Sequence, residues 1–177
     1  MSRPHAIGGA LVVALALSVA QAPAGSAAPT GACAAATRAD LGPAAQERAM
    51  ICLINLERAK RGLVPVRRNP RLARSAAAKS RDMLRCGDFS HTACGRSFTT
   101  TFKQARYRGR SVGENIAWGT GRLGTPAAIH RAWMRSPGHR RNTLSPRWRD
   151  VGVDVRPRAR FLGNSGAAVW TAQYGVR

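Results

Sequence analysis

The sequence predicts an α+β domain, on three observations. Helical periodicity with recognisable caps fills the first part of the chain, two segments of alternating valines and aromatics close it, and no strand-helix-strand alternation appears between them. The last point also removes the usual dinucleotide and phosphate-loop architectures, and neither a GxGxxG nor a Walker sequence is present. At 177 residues the chain suits one ordinary domain, and its 44% apolar content allows a compact core despite a formal net charge of +21.

In chain order, residues 44–61 place Ala49, Met50, Leu53, Ile54 and Glu57 on one stripe at helical spacing, closed by Gly62. Asn69-Pro70 then supplies a cap followed by a proline at the first helical position. Leu72, Ala73, Ala76, Ala77, Ser80, Met83 and Leu84 carry that second helix to Cys86-Gly87. A turn-rich stretch, 87–96, precedes a helix predicted from Ser97 to Tyr107 with Phe98, Phe102 and Ala105 inward. Val112 to Gly119 reads as a strand, and Thr125-Pro126 opens a helix that Ser136-Pro137-Gly138 ends. Val151, Val153 and Val155 and the segment from Ala168 to Tyr174 form a predicted hairpin turning at 163–166.

The N-terminus has the form of a secretory signal over 1–28. Arg3 and His5 precede a 14-residue apolar run from Ile7 to Ala20, and small residues offer cleavage after Ala24, Ala27 or Ala28. That run is too short to span a bilayer comfortably, so the mature protein is expected to be extracellular without a transmembrane anchor. Residues 29–42 are Ala/Gly/Thr-rich and lack periodicity, a flexible leader, and the folded domain is expected over 43–177. Export with four cysteines invites disulfides in one of three connectivities. Cys86–Cys94 with Cys33–Cys52 closes two short loops and asks least of the fold.

Charge bounds the partners. Lys and Arg number 29 against 8 Asp and Glu, and since only Lys60, Lys79 and Lys103 are lysines, 26 are arginine. Such a surface attracts polyanions at low salt. Arg67 to Arg74 and Arg106 to Arg110 concentrate charge without the dense aromatics that stack on bases, so no specific nucleic acid is expected.

Four segments carry a resemblance to a known family: Leu53-Ile54-Asn55 with Arg58 and Gly62-Leu63; Phe89-Ser90-His91; Gly113-Glu114-Asn115; and Trp133 through Pro137-Gly138-His139-Arg140-Arg141-Asn142. In this order, from about Arg48 to Gly175, they closely resemble the bacterial secreted branch of the CAP superfamily, the SCP-like domains. The resemblance implies an α-β-α sandwich around a central antiparallel sheet. It also implies a cleft to which His91, Glu114 and His139 contribute. The chain departs from eukaryotic members in lacking their late Gly-His-Tyr-Thr-Gln: the last strand reads Val169-Trp170-Thr171-Ala172-Gln173-Tyr174, and Arg135 and Ser136 follow Trp133 where a second acidic residue is usual.

Two imidazoles and a carboxylate are ligand types of many zinc sites, which makes His91, Glu114 and His139 a candidate metal set with zinc as the expected cofactor. The alternative is structural hydrogen bonding in neighbouring loops. Asn55 and Arg58 are expected to brace a loop, Trp133 and Trp170 to be core, and His130 to lie on the surface. Ser90 and Ser136 lack an acid that would orient a base, so no serine triad is expected. The leading function is binding of a lipid, a glycan or an anionic wall polymer in the cleft. A metal-assisted extracellular hydrolase using His91, Glu114 and His139 and a low-specificity polyanion binder are the alternatives, with binding favoured over catalysis.

Overall fold

The computed structural model describes residues 33–177, with the side chain of Arg158 left aside. The expected export signal, 1–28, and the first leader residues, 29–32, lie outside the described residues. The elements run α1 (Pro43–Ala59), β1 (Arg67–Arg68), α2 (Pro70–Cys86), α3 (Thr100–Gln104), β2 (Ser111–Thr120), α4 (Pro126–Arg135), α5 (Pro137–Thr143), β3 (Asp150–Phe161) and β4 (Asn164–Val176). None of the described helices is long and apolar enough to cross a membrane.

Local chemistry sets most of these boundaries. Asn69 Oδ1 accepts hydrogen bonds from the Arg71 and Leu72 amides at 2.9 and 3.3 Å, and Pro70 occupies the first helical position of α2. At the other end Gly87 adopts φ 59°, the left-handed cap that glycine reaches without strain. The predicted helix from 97 to 107 shrinks to α3, because Arg106 turns to φ 56° and Tyr107 N–H bonds back to Phe102 O. Pro137 ends α4 as predicted, with Ser136 held extended before it, but it also begins α5, a helix the sequence reading did not include. The β3–β4 hairpin turns at Leu162-Gly163 rather than at 163–166. Both residues have positive φ, 46° and 78°, which suits a two-residue connection, and Asn164 already pairs with Phe161.

The sheet order is β1-β3-β4-β2, with β4 antiparallel to both neighbours and only the two-residue β1 parallel to β3. Helices cover both faces, giving the α-β-α sandwich. On one face Val151, Val153 and Val155 of β3 and Trp170, Ala172 and Tyr174 of β4 pack with Met50 and Ile54 of α1 and Ile129 and Trp133 of α4. The other face carries Met83 with Ile116, Phe161 and Val169, and a second group of Leu72, Phe102 and Tyr107. Here α2 lies very close on β3: a Cβ at Gly152 would stand 2.1 Å from the carbonyl carbon of Leu72.

Both disulfides form as expected, Cys33–Cys52 and Cys86–Cys94, and no described cysteine is free. Before α1, residues Ala35–Thr37 make a 3-10 turn, and the Gln46 amide donates to Leu41 O at 2.7 Å, so this stretch is held by more than Cys33. His130 is not a surface residue. It is 7% exposed, because it falls beside Ile129 and Trp133 on the stripe of α4 that packs against α1.

Candidate functional site

The site forms at the β2 edge of the sheet. Glu114 faces the α2 side, directly opposite Gln173 in the β2–β4 register, and its side chain is fully buried. One carboxylate oxygen accepts from Gln173 Nε2 at 2.7 Å, and the other lies 2.8 Å from His91 Nδ1. The same Gln173 amide also reaches Thr101 Oγ1 at 3.3 Å. A buried carboxylate needs such partners, since an unpaired one is costly away from water.

His91 sits in the loop between α2 and α3, its side chain 48% exposed. Three ties hold that loop in place. Cys86–Cys94 closes it, Arg96 reaches Asp82 of α2 at 3.2 Å, and the buried Lys79 donates to the His91 carbonyl at 2.5 Å. With Nδ1 directed at Glu114, Nε2 is the ring nitrogen not engaged by the carboxylate.

His139 arrives on α5, from the opposite layer. Asn115, the neighbour of Glu114, points to that side and donates to the His139 carbonyl at 3.1 Å and to Thr143 Oγ1 at 3.0 Å, while Asn142 donates to Asn115 Oδ1 at 3.0 Å. Gly113 leaves the room for this contact: a Cβ there would be 2.5 Å from Asn142 Oδ1. Burial pushes the His139 imidazole below the ordinary histidine range, and the charge of His91 pushes the same way.

Arg58 and Asn55 brace this scaffold as expected. Arg58 is fully buried, and donates to Val64 O at 3.0 Å and to Thr143 O and Ser145 O at 2.9 Å, tying α1 to the end of α5. Asn55 exchanges two hydrogen bonds with the Val66 backbone, at 3.0 and 2.9 Å.

The structure therefore brings His91 and Glu114 into contact and links His139 to them through its backbone carbonyl, held by the Asn115 side chain next along β2. Gln173, Thr101 and Lys79 were not among the residues predicted for the site. Gln173 was legible only as a polar residue alternating with Trp170, Ala172 and Tyr174, hence on the other face of β4. Ser90 Oγ donates to Asp88 at 3.0 Å rather than to His91.

Imidazole and carboxylate are donors zinc accepts. Both Glu114 oxygens, however, are engaged by His91 and Gln173. Among the described residues no group of three or more His, Cys, Asp or Glu stands ready to hold a metal ion. The arrangement matches a carboxylate that backs an imidazole better than a third ligand.

The solved structures similar to this chain share its fold. An extracellular protein containing an SCP domain from Bacillus anthracis str. Ames matches with TM-score 0.60 and 21% identity, over 77% of this chain and 44% of that one. A cysteine-rich secretory protein from Staphylococcus aureus subsp. aureus Mu50 matches with TM-score 0.61 and 19% identity, over 78% and 40%. An outer surface protein from Borrelia burgdorferi gives TM-score 0.60 and 16% identity, over 72% and 90%. In sequence the chain is 33% identical over 141 residues to the uncharacterized protein YkwD of Bacillus subtilis (strain 168), covering 78% of this chain but only 50% of that protein. The chain thus spans about half the length of this curated relative. Residues 51–174, which include every site residue above, match the Cysteine-rich secretory protein family, CAP, and the chain belongs to that family.

Proposed function

We propose that the chain is an exported binding domain whose cleft takes a polyhydroxylated ligand, of the glycan class, between His91 and His139. The observation that carries this reading is the His91–Glu114 pair. A fully buried carboxylate fixes one nitrogen of a half-exposed imidazole and so directs the other outward. His139, whose neutral form burial favours, adds a second imidazole that can donate or accept. Phe98, 6.2 Å from the His91 ring, adds an aromatic edge of the kind that packs on sugar rings. Binding is favoured over turnover because no serine or free cysteine pairs with either imidazole among the described residues. Export is supported by the signal-like residues 1–28, by both disulfides, and by the extracellular or outer-surface descriptions of the similar proteins.

The second reading is a divalent ion held by the two imidazoles with solvent completing the shell, Glu114 backing His91 rather than binding the ion. The buried carboxylate behind Nδ1 favours it, since that is the usual outer partner of a metal-bound histidine.

Imidazole resonances followed by NMR, during titration with cell-wall glycan fragments and separately with zinc, test both readings. A glycan site moves the His91 and His139 rings in the parent and not in Glu114→Gln. Zinc binding moves them at low stoichiometry and weakens below about pH 6.5, where free histidines protonate. Rings indifferent to both probes would end the ligand-cleft reading.

A further inference from the structure

Another side of α5 lines a groove that contains none of the imidazole-site residues and carries a different chemistry. Arg135 at the end of α4, Arg140 and Arg141 of α5, and Arg147 in the loop to β3 line a groove of about 740 Å³. Met134 and Leu144 are among the apolar residues on its wall. All four arginines are exposed, and none of the four guanidinium groups takes part in a described ion pair or side-chain hydrogen bond. No acidic residue lines this groove.

A second arginine-rich groove shows that this is not simply a matter of abundance. There Arg67, Arg68, Arg71, Arg108 and Arg177 surround Asp150, which accepts from Arg177 Nε at 2.9 Å and from Tyr107 Oη at 2.9 Å. That groove carries its own anion. The α5 groove does not, and four like charges lining one concavity attract an anion from outside.

We infer that the α5 groove is a binding site for a polyol phosphodiester chain, a site separate from the imidazole cleft. Guanidinium groups recognise phosphate through paired, charge-assisted hydrogen bonds. Four of them in a groove of this size match successive phosphates rather than one. The apolar wall suits the short carbon linkers between phosphates. No exposed aromatic lines the groove to stack a base, which favours a polyol chain over nucleic acid.

The test compares two triple variants with equal loss of charge: Arg140→Gln/Arg141→Gln/Arg147→Gln in the α5 groove, and Arg67→Gln/Arg68→Gln/Arg108→Gln around Asp150. The probe is synthetic poly(glycerol phosphate), measured by calorimetry at 50 and 200 mM salt, with inorganic polyphosphate and a single-stranded oligonucleotide as comparison ligands. The site predicts at least a tenfold weaker Kd for the first variant and less than a threefold change for the second, with a shallower salt dependence only in the first. Circular dichroism and a melting curve establish that both variants fold. His91→Ala should leave this binding unchanged, so its failure and that of the cleft reading are distinguishable. Equal weakening in both triples would show charge spread over the surface and overturn the site, as would no binding by the parent. Oligonucleotide or polyphosphate binding tighter than poly(glycerol phosphate) would overturn the assigned ligand.

Discussion

The two faces of the sheet are made from the same strands but filled differently. The face under α1 and α4 has an aromatic centre: Trp133, Trp170 and Tyr174 are each no more than 1% exposed, and the valines of β3 pack among them, while Arg58, Asn115 and His130 are buried on the same side. The face under α2 interrupts its apolar groups with a line of buried polar side chains, in which Ser80 meets Thr171 at 2.9 Å and Gln173 joins Glu114 to Thr101. Alternation along β4 makes this possible, since Trp170, Ala172 and Tyr174 point one way and Thr171 and Gln173 the other. One face centres on aromatic packing, and the other sets polar side chains among its apolar groups to hold a carboxylate and the histidine loop.

The largest effect that would sharpen the contrast is Trp170→Ala. It removes a fully buried ring and leaves Gly124 O without its 2.9 Å donor, so a loss of about 3–5 kcal/mol is expected in urea unfolding. Where the variant stays folded, the His91 ring resonances should hold their positions. A shift of His91 as large as that caused by Glu114→Gln would show the faces to be coupled rather than divided in their roles.

Next comes the bridge that closes the histidine loop. Replacing Cys86 and Cys94 by serine opens an 8-residue separation, for which loop entropy alone suggests a loss of about 2.5 kcal/mol. Hydrogen exchange should rise across 87–99 and stay unchanged in β3 and β4. Uniform exchange would mean that Lys79 and Arg96 do not hold the loop independently.

A smaller change, about 1–3 kcal/mol, is expected for Glu114→Ala, which strands Gln173 Nε2 with only its longer bond to Thr101. The Gln173 carbonyl oxygen already lacks a described partner, so this variant concentrates the cost on one amide. Glu114→Ala/Gln173→Leu should recover part of the loss, and a double variant no better than the single would deny the pair its role.

How far the sequence revealed this division depends on the range of the interactions involved. Caps and periodicity are local, so α1, α2 and both long strands of the hairpin could be read from Asn69-Pro70, Gly87 and the Val151–Val155 alternation. The motif residues His91, Glu114 and His139 were legible through resemblance, without their mutual geometry. What escaped was cross-strand and cross-layer. Gln173 matters because register sets it opposite Glu114, and β1 exists only because Arg67 and Arg68 find Asp150 and Val151. His130 was misplaced because its burial comes from α1 rather than from its own helix. Likewise α5 was hidden behind a proline that both ends one helix and begins the next.

The smallest expected effect is a pH dependence that belongs to the α1–α4–α5 side. His130 and His139 are both held below the ordinary histidine range, chiefly by burial. Near His130, Glu57 acts in the opposite direction and Lys60 in the same one. The folded state therefore binds fewer protons than the unfolded chain as pH falls through about 6.5, and stability declines until the folded-state values are passed. Glu47, raised by burial on α1, acts with the opposite sign, so its contribution grows as pH falls through the carboxylate range. Urea midpoints at pH 7.5 and 5.5 separate these windows, and the parent should be less stable at pH 5.5. His130→Leu removes one of the two titrations and the unpaired Nε2, so its loss between the two pH values should be smaller than the parent's. An equal or larger loss would assign the acid sensitivity to His139 on α5, making the packing of α1 on α4 indifferent to pH.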